Sequence, residues 1–430
     1  MFLKSFYNSV NPFLMGLLIL FSLPIKLDAL QQIFESFFSI YIPIRLGFYT
    51  LFLPPIALFS IVWNIKKFAS IWQKLKTPLI VLLLLFVWMW LGAFTSDYPK
   101  VAFKHSGRYS IYLITFFGFL FVLYHEVSKK FYYIFCLVFL SLMSLTFLDW
   151  HGIINIPILL ENNGMSIDLF QRGNTPTSFF ENRNPYAIIS VGIFFWAIIN
   201  QRHSAFLSLL LVISSLYSIY IAGSRNGIFT LLMCTLFLLL FNYKQILKFK
   251  TFFIILSCIT ILGFGYYFSK SQTFLKIKLT IIDILNADTL KEFESIDPRF
   301  VIYSSALKFV ILNQPVIGTG TKTFGYEVFK ESKKLKKFNN EYHRKRLNAH
   351  NALLTIWVEM GMVGLIGVII FLLLWFFPSL RGPPILIMPM LAVCLGQIFD
   401  YFVWEIFFMA FQSFFFANFA ATIEKYRGES

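Results

Sequence analysis

The sequence is short of charged residues. Asp, Glu, Lys and Arg make up 13% of the 430 residues, whereas they form about 25% of an ordinary soluble domain. Hydrophobic residues make up 58%, and this balance excludes a soluble globular fold. The formal net charge is +16. Because the basic residues are scattered between apolar runs, they indicate membrane topology, and we expect no nucleic-acid partner.

Cysteine is also scarce. The four cysteines lie within apolar runs and show neither CxxC nor metal-ligand spacing: Cys136, Cys234, Cys258 and Cys394. This arrangement argues against a disulfide framework and against a zinc site. The first apolar run lacks a small-residue cleavage site after it, so we interpret it as an uncleaved helix and not as a signal peptide.

Apolar sequence is abundant. Crossing the hydrocarbon core takes about 20 apolar residues, and about 12 segments approach that length. The predicted fold is an all-α polytopic membrane protein, with helices 1–9 in residues 1–269, a large loop containing helices at 270–350, and helices 10–12 in 351–430. The predicted spans lie near 11–27, 44–63, 78–95, 109–125, 131–149, 185–200, 204–222, 226–242, 251–269, 351–377, 384–401 and 403–423.

The distribution of Lys and Arg predicts the orientation. Short loops on the side of the two termini carry more basic residues than the short loops opposite, which favours cytoplasmic termini. The long loop is not counted, because long loops cross the membrane whatever their charge. The 270–350 loop and the turn at Arg225 are therefore expected on the outer face.

Three helices are predicted to begin on that face, at Asn184-Pro185, Ser224-Arg225-Asn226-Gly227 and His350-Asn351. Helix N-termini carry unpaired N–H groups and a partial positive charge. Together with arginines they form a site suited to phosphates. For Arg225 taken alone, the alternative is a side chain that only reaches the membrane surface.

Several motifs occur in a fixed order. Phe179 to Pro185 is followed by Ala222 to Gly227, then by Asp297-Pro298-Arg299 and Gly318-Thr319-Gly320, and finally by His350-Asn351 and Glu359 to Gly364. Over residues 175 to 365 this set resembles the O-antigen ligase and polymerase superfamily, and the helix count and loop position agree with it.

The resemblance implies a glycosyltransferase of the bacterial inner membrane with its active site facing the periplasm. In the ligase branch, the O-antigen glycan passes from undecaprenyl diphosphate to a hydroxyl of the lipid A-core, which gives lipopolysaccharide. Arg225 and Arg299 match the two arginines of the family, and His350 matches its histidine. The partners implied are the donor, the acceptor and membrane lipids.

The chemistry agrees with these roles. When the diphosphate leaves, negative charge builds on its oxygens and a cation must stabilise it. The chain has no DxD motif to hold a metal, and guanidinium groups bind phosphate oxygens bidentately, so Arg225 and Arg299 are assigned to the diphosphate and no metal or cofactor is expected. The imidazole of His350, with an unperturbed pKa of about 6.5, suits a general base.

Other residues are assigned less specifically. Asn184 is placed in the substrate-binding set, and Lys104 and Arg108 either extend the phosphate or acceptor site or anchor their helix at the interface. Glu359, Gly361 and Gly364 are expected to serve close helix packing. Residues 301–312 have helical apolar spacing, which indicates an amphipathic interfacial segment, and the basic run from Lys333 to Arg346 is typical of a solvated helix face or a surface for a phosphorylated lipid.

Alternatives remain open at this point. An O-antigen polymerase or a protein O-oligosaccharyltransferase would share the donor but use another acceptor. A lipid-linked glycan flippase or transporter belongs to a different class, for which ionisable residues at mid-membrane and repeated broken helices are typical.

Overall fold

The computed structural model describes residues 2–20, 48–124, 129–151, 153, 183–246, 298–313, 315–331, 351–376, 384–399 and 406–427. Within these ranges all regular structure is helical and no strand occurs. The helices are α1 Phe2–Leu20, α2 Phe48–Trp63, α3 Phe68–Phe94, α4 Pro99–Leu123, α5 Lys129–Trp150, α6 Arg183–Ile199, α7 Ala205–Ala222, α8 Arg225–Ile246, α9 Pro298–Asn313, α10 Phe324–Glu331, α11 Ala352–Phe376, α12 Met388–Phe399 and α13 Ile406–Arg427.

Five helical segments of the described chain are long and apolar enough to cross a membrane: Ile65–Phe94, Pro99–Leu123, Lys129–Leu148, Ala205–Ala222 and Ala352–Phe376. Shorter apolar helices accompany them. The prediction of an all-α polytopic membrane protein is therefore confirmed. The predicted run at 251–269 and most of the predicted 270–350 loop lie outside the described residues.

The bounds of α3 differ from the prediction. The helix begins at Phe68, about ten residues before the predicted span at 78, and it includes Lys74, Lys76 and Pro78. Hydropathy marks the part of a helix that lies in hydrocarbon, and it does not mark a polar first turn that continues into water.

The chain divides into two compact units. The first comprises Met1–Phe86, Lys104–Cys234 and Ile369–Ser430, and its centre is α6. Every residue of α6 from Pro185 to Ile198 is buried, because α7, α12 and α13 pack around it. The Trp196 ring lies 4.2 Å from Phe135 and 6.0 Å from Phe414, measured between ring centroids.

The second unit comprises Val87–Phe103 and Thr235–Val368. Its core joins α9, α10 and the first half of α11. The buried apolar side chains of this core are Ile302, Ala306, Phe309, Val310, Phe324, Val328 and Val358.

Helix α11 is broken at Gly361, whose backbone has φ 72° and ψ −175°. The segment 315–320 pairs with the break. Thr319 N donates to Val358 O at 2.9 Å and Gly320 N to Glu359 O at 3.0 Å, while Met362 N donates to Pro315 O at 2.9 Å. A Cβ atom at Gly361 would lie 2.1 Å from Val316 O.

This geometry corrects the expectation that Gly361 serves close helix packing. The residue instead lets a loop backbone replace part of a helical hydrogen-bond ladder, and its left-handed φ is one that L side chains rarely adopt. At Gly364 the atoms nearest to an added Cβ belong to the side chain of Met360 of the same helix, with Met360 Cβ 2.3 Å away.

Candidate active site

Arg225 is the first residue of α8, and its turn is capped. The side-chain oxygen of Ser224 accepts a hydrogen bond from Gly227 N at 3.1 Å, which is the standard N-cap contact. Ser224 is therefore the N-cap of α8, at the helix start that the sequence predicts. Ser224 itself is fully buried, whereas the Arg225 side chain is exposed.

Asn184 in the first turn of α6 fixes this cap. The hydroxyl of Ser224 donates to Asn184 Oδ1 at 2.6 Å. The two helices also approach closely, because a Cβ at Gly227 would lie 2.5 Å from Ala187 Cβ. The structure thus brings together Asn184 and the turn of Arg225, which the sequence had singled out as separate helix starts.

The other neighbour of Arg225 is anchored as well. Asn226 Nδ2 donates to Gly396 O in α12 at 2.8 Å. With Ser224 held by α6 and Asn226 held by α12, the backbone of Arg225 has little freedom. The guanidinium group is therefore presented outward from a fixed base, which suits repeated binding of one anionic group.

Lys104 and Arg108 lie one helical turn apart in the first half of α4. Lys104 is exposed and Arg108 is half-buried. Residues four apart share one face of a helix, so the two cations lie on the same face of α4. They belong to the first unit, as does Arg225.

Arg299 is the second residue of α9, directly after Pro298. Proline is favoured at the first position of a helix, so the Asp-Pro-Arg motif sets where α9 begins. His350 lies outside the described residues, as do Asp297 and the basic run from Lys333 to Arg346.

Asn351, the residue after His350, caps α11. Its Oδ1 accepts from Leu354 N at 3.0 Å, and its carbonyl oxygen accepts from Thr355 N at 3.0 Å. The His-Asn motif therefore marks a helix start, as the sequence predicted.

A polar cluster at the break in α11 was missed by sequence reasoning. Glu359 is only 3% exposed and Lys322 only 8%. The backbone N–H groups of Lys322 and Phe324 and the side chain of Lys322 lie near the carboxyl group of Glu359. Within the described residues, Glu359 Oε1 has no hydrogen-bond partner.

Two threonines complete the cluster. The hydroxyls of Thr319 and Thr323 lie 2.7 Å apart, and Thr323 Oγ1 donates to Gly320 O at 2.6 Å. Lys322 has φ 63°, an uncommon conformation for a residue with a side chain. The signal in the sequence is the pair of glycine motifs, Gly318-Thr319-Gly320 and Gly361, which meet in space although more than 40 positions separate them.

Helical composition and several apolar spans define the class: the chain is an all-α polytopic membrane protein. Residues 209–369 match the family model described as O-antigen ligase. This match confirms the resemblance drawn from the motifs, and its range contains Arg225, Arg299, His350 and both halves of the polar cluster. No curated protein matches the chain.

The family match supports a function within the O-antigen ligase and polymerase superfamily. It indicates a glycosyltransferase-like enzyme in O-antigen processing that handles lipid-linked glycans.

Proposed function

We propose that the protein is an O-antigen ligase. It transfers O-antigen from undecaprenyl diphosphate to a hydroxyl of the lipid A-core at the periplasmic face of the bacterial inner membrane, with both termini cytoplasmic. The observation that carries the proposal is the family match over 209–369, which includes the two arginines and the histidine that the chemistry requires.

In this mechanism His350 accepts the proton of the acceptor hydroxyl. The hydroxyl oxygen bonds to the anomeric carbon of the donor sugar as the bond from that carbon to the diphosphate oxygen breaks. The leaving undecaprenyl diphosphate retains the electron pair. Arg225 and Arg299 stabilise the charge that develops on its oxygens.

The fixed base of Arg225 supports its role. An electrostatic stabiliser contributes most when its position is set before the reaction, and Ser224, Asn226 and Asn184 set the position of this turn. Lys104 and Arg108 are proposed to bind anionic groups of the substrates, and Asn184 is proposed to contribute to substrate binding as well as to the turn.

The test is complementation in a bacterial strain that lacks its O-antigen ligase, read as glycan-capped lipopolysaccharide. We expect the natural sequence to restore capping, and His350→Ala, Arg225→Lys and Arg299→Lys to abolish it. Lys keeps the charge but loses the bidentate geometry. Chelators should leave transfer unchanged, because the two arginines take the place of a metal.

Arg202→Lys is the matched control. Arg202 is exposed and lies before α7, at the opposite end of that helix from Arg225. This variant should cap lipopolysaccharide normally. Normal capping by both Arg225→Lys and Arg299→Lys would contradict the diphosphate assignment, and normal capping by His350→Ala would contradict the base.

An O-antigen polymerase is the second candidate, because the family match supports the superfamily as a whole. A polymerase would use a second lipid-linked glycan as acceptor. It would lengthen the lipid-linked chains and leave the lipid A-core uncapped, so the same strain separates the two functions.

A further inference from the structure

Part of the predicted 270–350 loop exposes a run of large apolar side chains. In α9 these are Leu307, Ile311 and Leu312, and in the following segment they are Val316 and Ile317. Ile311 is 67% exposed, Leu312 61% and Val316 59%. Proteins in water rarely leave a contiguous patch of this kind uncovered.

This run is continuous with a membrane span. Pro315 O and Val316 O accept hydrogen bonds from Met362 N and Val363 N of α11 at 2.9 and 3.4 Å. The side chains of Met362 and Val363 are themselves exposed. Because hydrogen-bonded backbones are neighbours, Val316 lies beside Val363 on one apolar surface.

The depth of this surface follows from helix geometry. Gly361 is nine residues from the start of α11, about 14 Å along a helix that rises about 1.5 Å per residue. The break is also tied to α3, because Trp88 Nε1 donates to Met360 O at 2.9 Å. Trp88 is six residues before the end of α3, about 9 Å along its axis. Both helices therefore place the break inside a span and not at its end.

The segment then follows α3 towards its end. A Cβ at Gly92 would lie 3.7 Å from Ile317 O, and a Cβ at Gly320 would lie 2.8 Å from Ser96 Cβ. Beyond this point the rings of Tyr98 and Tyr326 lie 4.8 Å apart. Tyrosines are typical of the boundary between hydrocarbon and water.

The backbone of the segment is suited to hydrocarbon. Irregular backbone is tolerated at membrane depth only where its polar groups are satisfied by protein. Here Thr319 N, Gly320 N, Pro315 O and Val316 O are all paired with α11, and Thr319 Oγ1 gives a second hydrogen bond to Val358 O at 3.1 Å. Among the described residues of 311–317 the exposed side chains are the apolar ones of Ile311, Leu312, Val316 and Ile317, and that of Asn313, whose Nδ2 donates to Phe309 O at 2.9 Å.

We propose that the exposed apolar side chains of 307–312 and 316–317 form a lipid-contacting surface, in which the second half of α9 and Val316-Ile317 lie against the acyl chains of the bilayer. The occupant is the surrounding phospholipid. Lys308, which is exposed on the same stretch, can extend its ammonium group to the headgroups while its aliphatic stem stays apolar.

The test uses the full-length protein with its four cysteines replaced by alanine and single cysteines introduced for spin labels. Val316→Cys and Ile311→Cys are the test sites, Ile366→Cys in the same span is the lipid-facing control, and Asp97→Cys in the α3–α4 connection is the water-facing control. The protein is reconstituted in phosphatidylcholine and phosphatidylglycerol vesicles. Collision rates of each label with oxygen and with a neutral nickel chelate are measured by power saturation.

We expect the ratio of oxygen to nickel accessibility at positions 316 and 311 to match that at 366 and to exceed that at 97 severalfold. Ratios equal to that at 97 would overturn the proposal, because the segment would then lie in water. Low accessibility to both reagents would also overturn it, since protein would then cover the surface.

A bimane label at Leu312→Cys provides a second measurement if a labelled variant fails to fold. Its fluorescence should be quenched by phospholipids brominated on the acyl chain and not by iodide. Quenching that requires a brominated polyprenyl phosphate in place of phospholipid would assign the surface to the donor chain and overturn the bilayer assignment. The placement does not depend on which glycan reaction the chain performs.

Discussion

At the turn between α7 and α8 an exposed arginine lies between two anchored neighbours. Ser224 is held by Asn184 and by the amide of Gly227, and Asn226 is held by the carbonyl of Gly396. The function proposed for Arg225 therefore depends on the hydroxyl of Ser224 and the side-chain amide of Asn226 as well as on its own guanidinium group.

Replacing Ser224 with alanine tests this dependence. The change removes a cap worth about 1 kcal/mol and releases the turn, so we expect lower thermal stability in detergent and a marked loss of lipopolysaccharide capping. Ser204→Ala is the control, because Ser204 caps α7 at its other end by accepting from Leu207 N at 3.3 Å. Ser204→Ala should lose similar thermal stability and still produce glycan-capped lipopolysaccharide. Equal amounts of capped lipopolysaccharide from the two variants would contradict the positioning role of Ser224.

Gly361 occupies a position that accepts glycine alone, because its φ is positive and a neighbouring backbone leaves no room for a Cβ atom. Gly361→Ala would place a methyl group 2.1 Å from Val316 O at a φ of 72°, so the segment 315–318 must separate from α11. We expect a loss of several kcal/mol of stability, within the range of severe backbone and packing changes, measured as thermal unfolding in detergent. Gly107→Ala in α4 meets no atom within 4 Å and should keep or raise stability. Equal unfolding temperatures for the two variants would contradict the break.

At the scale of elements, the two halves of α11 and the segment 315–323 act as one unit of structure. Carbonyl groups released by the break at residues 358 to 360 accept from Thr319, Gly320 and Trp88. Glu359 and Lys322 then lie buried on the two sides of that junction. Replacing one member of a buried charged pair lowers stability much more than replacing both members with uncharged residues.

This asymmetry gives a prediction for the pair. Lys322→Met removes the cation near the buried Glu359 carboxyl group and should destabilise the protein by at most about 3–5 kcal/mol, because the carboxyl group can bind a proton instead. Adding Glu359→Gln should recover most of that loss, because no uncompensated charge remains. Thermal unfolding of the two single variants and the double variant measures the coupling, and strictly additive losses would show that the two side chains do not interact.

Sequence reasoning predicted the helices well and the junction poorly. Apolar runs at 109–125, 131–149 and 204–222 correspond to α4, α5 and α7, because the length of an apolar run is set by the membrane and is visible locally. The break in α11 arises from pairing with residues 40 positions earlier. Hydropathy reads 352–376 as one span, and only the glycines at 318, 320 and 361 record that another backbone comes close.

In the candidate site, too, the sequence predicted local features and missed the contacts between distant residues. The Ser224 cap and the helix start at Asn351 were predictable, because capping depends on residues three positions apart. The contact between Ser224 and Asn184 was not, since two helix starts that face each other are separated by 40 residues of sequence. Packing is the role that the sequence predicts for Glu359, because nine residues along a helix place it on the opposite side from His350, and its apolar neighbours give no indication of the contact with Lys322.

At the scale of the whole molecule, the bias of basic residues predicts that both termini lie in the cytoplasm. Alkaline phosphatase is active only outside the cytoplasm, and green fluorescent protein is fluorescent mainly inside it. We expect a C-terminal fusion to fluoresce and a fusion after Thr95, in the α3–α4 connection, to show phosphatase activity. Phosphatase activity at the C-terminus would reverse the orientation and with it the face assigned to Arg225.

The burial of α6 has a consequence for how the protein is made. Two of the helices that cover α6, α12 and α13, are synthesised long after it. Until α12 and α13 have been translated, this central helix must be sheltered by lipid or by the insertion machinery, and the aromatic contact of Trp196 with Phe414 cannot form. A chain that stops before Met388 would be released with an incomplete centre and become a substrate for membrane quality-control proteases, however intact its charged residues.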